Sequence, residues 1–226
     1  DARAPLYDGG IVTRVDCVSL GVVVNAKAQR FYDEGEDFWP KRYAIWGRLV
    51  AQQPGQIAYS VIDAKAVGRF MPPVFPGVQA ATLDELARKL DLDEAMFVKT
   101  LADYNAACRV GSFDHEVLDD CRTEGLTPPK THWARPIDTP PFYAYALKPG
   151  VTFTYLGVKV DEHAAVHFGG MPSPNLFAAG EIMAGNVLGQ GYTAGVGMSI
   201  GTAFGRIAGT QAARAAQEQG AQRAAA

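Results

Sequence analysis

The chain has 226 residues, 21 basic and 24 acidic, a net charge of −3 and 48% hydrophobic residues. That length supports one large domain or two small ones, and the near-neutral balance, with a pI near 5.8, carries no basic footprint for nucleic acid. No stretch approaches the roughly 20 apolar residues of a membrane span, and the opening Asp-Ala-Arg-Ala-Pro lacks the pattern of a signal peptide.

In chain order, Ile11–Val18 alternates and predicts a strand, and Gly21–Asn25 is an apolar run ending in a turn-like segment. From Trp39 the pattern becomes helical, with Pro40 suited to a first turn and Gln53-Pro54-Gly55 as the stop. Ile57–Asp63 predicts a short buried strand, followed by the proline-rich loop Met71–Gly77. Thr82-Leu-Asp-Glu85 is a capping box opening a short helix. Asp93 caps a second helix, whose stripe of Met96, Phe97, Leu101 and Tyr104 reads as core. Residues 109–141 are polar and proline-rich, and predict a long surface connection at a domain boundary.

Beyond it the strand candidates are Phe142–Leu147, Val151–Tyr155 and Gly157–Asp161, with His163–His167 pairing onto the last as a hairpin. His163 and His167 are four residues apart but lie between short alternating segments, so a solvated hairpin is expected there and no metal site. Asn175–Ala179 predicts a buried strand delivering Gly180-Glu181 at its carboxyl end, and the last dozen residues are expected to fray. Cys17, Cys108 and Cys121 have no metal-like spacing and leave an odd thiol, which points to a reducing, cytoplasmic compartment.

Of the 24 glycines, 13 fall between Gly150 and Gly209. Gly197, Gly201, Gly205 and Gly209 recur every four residues along one face of the final helix. Glycine costs about 1 kcal/mol against alanine inside a helix, so the spacing predicts close approach of another backbone or of a flat ligand. Arg206 and the shortness of the apolar run exclude a membrane dimer face. The preceding loop, Gly185–Gly195, aims the helix N-terminus at whatever it encloses, and such a terminus suits a phosphate or polarised carbonyl. Glu181 stands where an acid typically holds a ribose hydroxyl in dinucleotide folds.

Ala178-Ala-Gly-Glu181, followed by the run from Gly195 to Phe204-Gly-Arg-Ile-Ala-Gly209, resembles the C-terminal segment of the succinate dehydrogenase/fumarate reductase flavoprotein superfamily. Lys148-Pro-Gly-Val, Leu156–Asp161 and the segment Gly21–Asn25 with Gln29-Arg-Phe31 match it in placement, the last in its substrate-capping domain. The loop Asn186–Gly195 most resembles the tricarballylate dehydrogenases and the related precorrin-3B synthase flavoprotein. The resemblance implies an α+β chain: a substrate-capping domain over 1–141, then over 142–226 the last strands and helix of a Rossmann-like FAD-binding domain. The family's ADP-binding G-x-G-x-x-G half has no counterpart here, so the chain is expected to be a fragment that binds FAD weakly or not at all by itself.

By the same resemblance, Gly180, Glu181, Gly195, Gly197 and Met198 contact FAD: Glu181 at the ribose, the backbone of Gly197 and Met198 at the N1–C2=O edge of the flavin. Tyr192 stands where the dicarboxylate enzymes have an arginine, and Thr152 or Phe153 where they have a histidine. These substrate-site replacements point away from plain fumarate or succinate, and Tyr192-x-x-Gly195 also resembles the ketosteroid dehydrogenases. Arg42, with Lys41 beside it, is the counterpart of the family's proton-transferring arginine, or else half of a solvated first-turn basic pair. Glu34, Glu36 and Asp37 are relay candidates or ordinary surface acids.

The implied activity is desaturation of a polycarboxylate, tricarballylate to cis-aconitate, by hydride transfer to flavin N5. Electrons would then pass to an iron–sulfur partner at the inner face of the membrane. Precorrin-3B synthesis and a fumarate reductase-like reaction stay open as alternatives, as does a catalytically inert binding module.

Overall fold

The computed structural model describes residues 1–4, 13–151, 153–189 and 192–225. The chain divides into two compact units, Asp1–Gly150 and Val151–Ala226.

The first unit is built on an antiparallel sheet of β1 (Val22–Asn25), β2 (Ala58–Ile62), β3 (Val78–Ala80) and β6 (Phe142–Leu147), in the order β1-β2-β6-β3, with β4 (Cys108–Arg109) and β5 (Arg122–Thr123) paired as a separate ribbon. Two helices, α2 (Leu83–Lys89) and α3 (Glu94–Ala107), bring Leu86, Ala87, Phe97, Leu101 and Tyr104 onto Val22, Val24, Val61, Phe142 and Ala144. On the opposite side α1 (Trp39–Ala51) brings Trp46 and Val50 onto Val23, Ala58, Ile62, Tyr145 and Leu147. Both sheet faces are therefore covered, which is why these strands read as apolar runs with little alternation.

The helix starts follow their sequence signals. Pro40 occupies the first turn of α1. Asp93 accepts from Met96 N–H at the start of α3. Thr82 Oγ1 accepts from Glu85 N–H at 3.2 Å, and Glu85 Oε2 reaches back to Ala81 N–H at 2.9 Å. Thr82→Ala is expected to cost about 1 kcal/mol in chemical denaturation, the usual worth of an N-cap. An unchanged midpoint would show that α2 is held by packing alone.

Three expectations for this unit are corrected. The Ile11–Val18 strand is not formed where it is described: Arg14–Cys17 is irregular and Val18–Leu20 is a 3-10 turn, while Ile11 and Val12 lie outside the described residues. Its apolar residues Val15, Cys17 and Val18 are buried against one sheet face, so the alternation is satisfied without a ladder. Residues 109–141 are no surface connection either. Cys121, Lys130, Trp133 and Ile137 are buried, and Asn105 binds both the N–H and the carbonyl of Ile137. Lys130 donates from Nζ to the carbonyls of Ser19 and Gly21. Burial depresses its ammonium to about 8. Lastly, Phe142–Leu147 pairs with β2 and β3, so the compact division falls after Gly150 rather than after Pro141.

The second unit holds a hairpin of β7 (Ala165–Phe168) and β8 (Met171–Phe177), turned by Gly169 and Gly170 at φ +56° and +88°. Positive φ at both central positions is what a tight hairpin turn requires. The helix α4 runs Val196–Ala225, through the residues expected to fray; their alanine, glutamine and arginine content favours helix. A small core of Val160, Val166, Met183, Ala184 and Ile200 joins these parts.

The sequence expectations hold less well here. Residues 153–159 form no strand, and the hairpin partner of β7 is β8; only the bridge Val160–Val166 recovers the expected pairing. The cause is local. Gly157 passes so close to the Ile182 carbonyl that a Cβ would lie 1.7 Å from its oxygen, and Val158 N–H donates to that carbonyl at 2.8 Å. Asn186 fixes the crossing, donating to the carbonyls of Val158 and Met183 and accepting from Val160 N–H. The 175–179 strand, expected buried, is exposed at Asn175 and Leu176 and half-buried at Phe177, Ala178 and Ala179. The two-stranded hairpin buries Ala165 and Val166 and leaves Phe168, Met171 and Leu176 exposed.

Candidate active site

Most of the predicted site residues converge at the start of α4. Gly195 has φ +90°, a left-handed turn that glycine adopts without strain, and its carbonyl accepts from Ser199 N–H at 3.1 Å to begin the helix. Gly197 and Met198 then occupy the first turn, where N–H groups have no partner within the helix. Met198 is exposed.

Against this turn lie two aromatic rings. Phe153 and Tyr192 have centroids 5.0 Å apart, and a Cβ on Gly197 would meet Phe153 at 2.9 Å and the Tyr192 hydroxyl at 3.6 Å. Tyr155 completes the group, 6.2 Å from Phe153; burial, and then the nearby Tyr192, push its phenol up. Thr152, the other substrate-site candidate, lies outside the described residues.

Glu181 follows the β8 strand after Gly180, whose φ is +86°. Its Oε1 accepts from both the N–H and the hydroxyl of Thr154, at 2.8 and 3.0 Å. That pair of hydrogen bonds orients the carboxylate, and the sequence offered no signal for it. Residues 153–155 therefore serve the site twice, through Phe153 toward α4 and through Thr154 toward Glu181.

Arg42 belongs to the first unit, near the start of α1. Its Nη2 lies 3.3 Å from Glu36 Oε1, and Glu36 Oε2 accepts from the Tyr32 hydroxyl at 2.8 Å. The Arg42 Nε is buried without a hydrogen-bond partner among the described residues. Burial, with the adjacent Glu36, raises the Tyr32 phenol. Of the three relay candidates, only Glu36 touches Arg42. Glu34 is committed to Arg30, and Asp37 to Lys41. Although burial opposes it, the Phe38 N–H and Lys41 hold the Asp37 carboxyl below its ordinary value.

The glycine row of α4 behaves differently along its length. Gly197 is closely approached, whereas nothing among the described residues lies within 4 Å of a Cβ at Gly201, Gly205 or Gly209. An open helix start with two glycines and unpaired N–H groups, next to an oriented carboxylate, fits a flat cofactor carrying a carbonyl edge and a ribose. No cluster of three or more potential metal ligands occurs among the described residues. No helix among them is long and apolar enough to cross a membrane.

Comparison with known proteins gives the same direction. The 4-oxocyclohex-2-ene-1-carboxylate 5-dehydrogenase of Sinomonas cyclohexanicum is 29% identical over 220 residues, covering 86% of this chain and 36% of that protein. The NADH:fumarate oxidoreductase of Klebsiella pneumoniae is 30% identical over 203 residues, covering 87% of this chain and 20% of its own length. The chain thus spans between a fifth and just over a third of these two relatives. Among solved structures, the 3-ketosteroid-Δ4-(5α)-dehydrogenase of Rhodococcus jostii RHA1, in complex with 4-androstene-3,17-dione, superposes with a TM-score of 0.58. It is 27% identical, over 87% of this chain and 39% of that one. An open flavocytochrome c3 fumarate reductase shares the fold at a TM-score of 0.59 and 23% identity, over 93% of this chain and 34% of its own. The model of the FAD binding domain matches residues 8–200. With that match over most of its length, and with fumarate reductases among the proteins it is similar to, the chain belongs to the FAD-binding-domain family.

Proposed function

We propose that the protein is part of an FAD-dependent dehydrogenase that desaturates a carbon–carbon single bond in a polycarboxylate, tricarballylate to cis-aconitate. The observation that carries this reading is the uncharged aromatic and hydroxyl group, Phe153 and Tyr192, packed against the first turn of α4 beside the cofactor-facing glycines. Family members acting on fumarate or succinate present an arginine and a histidine at these positions, and the loop Asn186–Gly195 resembles the tricarballylate enzymes instead.

Bound FAD supplies the hydride acceptor. Glu181, oriented by Thr154, holds the ribose. The first-turn N–H groups of Gly197 and Met198 offer positive potential to the flavin carbonyl edge, which favours uptake of negative charge. Tyr192 hydrogen-bonds a substrate carboxylate. Arg42 would pass a guanidinium proton to Glu36 and take in its place the proton from the carbon adjacent to the one that loses hydride. An arginine is a poor base in water, so this role leans on Glu36 at 3.3 Å and on the buried Nε. An iron–sulfur partner would be the electron acceptor.

Anaerobic flavin reduction in the full-length protein tests the reading. Tricarballylate is expected to bleach the flavin and succinate to leave it oxidised, and Tyr192→Phe to raise the tricarballylate KM about tenfold, the worth of one charge-assisted hydrogen bond. Reduction by succinate as fast as by tricarballylate, or by neither, rejects the substrate assignment. Reduction by a ring ketone alone moves it to desaturation beside a carbonyl.

A further inference from the structure

The contact between Arg42 and Glu36 has a weakness that a third residue repairs. Arg42 Nη2 and Glu36 Oε1 meet at 3.3 Å, and the two side chains are 33% and 35% exposed. An ion pair that open is screened by water and by itself fixes neither side chain. Arg42 is not anchored through its Nε either, which makes no hydrogen bond among the described residues.

Glu36 is nevertheless held. Its Oε2, the carboxylate oxygen that Arg42 does not use, accepts from the Tyr32 hydroxyl at 2.8 Å. The Tyr32 ring stands edge-on to Trp46, with centroids 5.9 Å apart and an interplanar angle of 86°, and Phe31 meets the same indole at 5.8 Å. Trp46 is buried, and on α1 it follows Arg42 by four residues, the spacing that puts two side chains on one helix face. The contacts close a loop: Arg42 to Glu36, Glu36 to Tyr32, Tyr32 to Trp46, and back along α1 to Arg42. Edge-to-face rings have a preferred geometry, so the core and not the solvent sets where the Tyr32 hydroxyl lies.

The neighbouring charges are committed elsewhere. Lys41 pairs with Asp37 at 3.1 Å, and Glu34 pairs with Arg30. Asp33 accepts from the N–H groups of Gly35 and Thr131 and from the Thr131 hydroxyl. Burial, then the bond to Glu36 and its charge, raise the Tyr32 phenol against the opposing pull of Arg42, so the phenol is the donor and the carboxylate the acceptor.

We propose that Tyr32 is a positioning residue for proton removal: by holding Glu36 Oε2, its hydroxyl keeps Oε1 turned toward Arg42 as the acceptor of the Arg42 proton. This role rests on the reading of Arg42 as the group that takes the substrate proton. Tyr32 acts through Glu36 and not on the substrate. A hydrogen bond also takes some basicity from a carboxylate. Orientation outweighs this here, because a carboxylate this exposed turns to water when released, and proton transfer requires reach before it requires basicity.

The test is the limiting rate of anaerobic flavin reduction in the full-length protein, compared among the parent, Tyr32→Phe, Glu36→Gln, their double variant and Arg42→Ala. The reductant is tricarballylate, or succinate or cyclohexanone where one of these reduces the parent instead, so that a wrong substrate does not decide the question. Tyr32→Phe keeps the ring on Trp46 and removes only the hydroxyl. It is expected to slow the limiting rate about tenfold, the scale of one hydrogen bond to a charged group, with the half-saturating substrate concentration unchanged. The double variant is expected to be no slower than Glu36→Gln alone. A tyrosine that merely braces the fold would cost the Glu36→Gln background as much as the parent, and that result overturns the positioning role. A Tyr32→Phe rate equal to or above the parent's, beside an Arg42→Ala variant that no longer reduces flavin, overturns it too and leaves the reading of Arg42 standing. Arg42→Ala at the parent rate, or a parent that none of the three compounds reduces, overturns that reading and this role with it.

Discussion

Glu34→Ala is expected to lower stability by about 3–5 kcal/mol, the cost of leaving one partner of a buried ion pair without the other. The Arg30 and Glu34 side chains are 4% and 0% exposed, and Glu34 receives both Nε and Nη2 of Arg30. Glu34 also accepts from Val23 N–H at 2.8 Å, so the carboxylate ties the turn after β1 back to the strand itself. Arg30 in turn reaches the carbonyls of Pro128 and Pro129 and lies over the Tyr104 ring. Burial opposes the Arg30 charge, but Glu34 outweighs it and raises the guanidinium. Chemical denaturation measures the loss. In the Arg30→Ala/Glu34→Ala double variant part of it is expected to return, because no orphaned charge is left inside. A loss below about 1 kcal/mol for the single change would show that the pair behaves like a solvated one.

Gly157→Ala is expected to disable the cofactor end of the second unit. A methyl there would lie 1.7 Å from the Ile182 carbonyl oxygen, a clash with backbone that no rotamer relieves. Gly185→Ala meets the same problem at 2.1 Å from the Tyr155 carbonyl. Overpacking typically costs about 1–3 kcal/mol, and a backbone contact this short belongs at or above the upper end. The crossing it would open also carries the Thr154–Glu181 bonds and the Asn186 clamp. Loss of bound flavin from the full-length protein is therefore expected along with the stability loss. Gly189→Ala is the control, since among the described residues no atom lies within 4 Å of its Cβ position. Full flavin occupancy in Gly157→Ala would show that the crossing does not set the cofactor edge.

How much could be read without coordinates depended on how local the cause was. The caps at Thr82 and Asp93 and the glycine-led start of α4 are written within four residues of themselves, and they form as expected. So does β2, whose flanks punctuate it clearly. Residues 109–141 misled because composition stood in for contact. Trp133 and Lys130 are buried there by partners far along the chain, such as the Ser19 and Gly21 carbonyls that receive Lys130. At the site, Tyr192, Phe153 and Gly197 were identified by family resemblance and are brought together, whereas the Thr154 contribution has no sequence pattern of its own.

The place of β6 in the first unit has a consequence for how that unit is made. The strand emerges last of the four yet lies in the interior of the sheet, between β2 and β3. During synthesis, β1 and β2 can close as a ribbon as soon as both exist, but β3 has no neighbour to pair with until Leu147 has left the ribosome. Until a strand some sixty residues downstream of β3 arrives, the helices α2 and α3 have only Val22, Val24 and Val61 of that ribbon to cover Phe97 and Leu101, without Phe142 and Ala144. Separating the chain at the proline-rich 138–141 segment would remove the seam that joins the two parts of the sheet. Assembly of this unit is thus settled at its last step, by Phe142–Leu147.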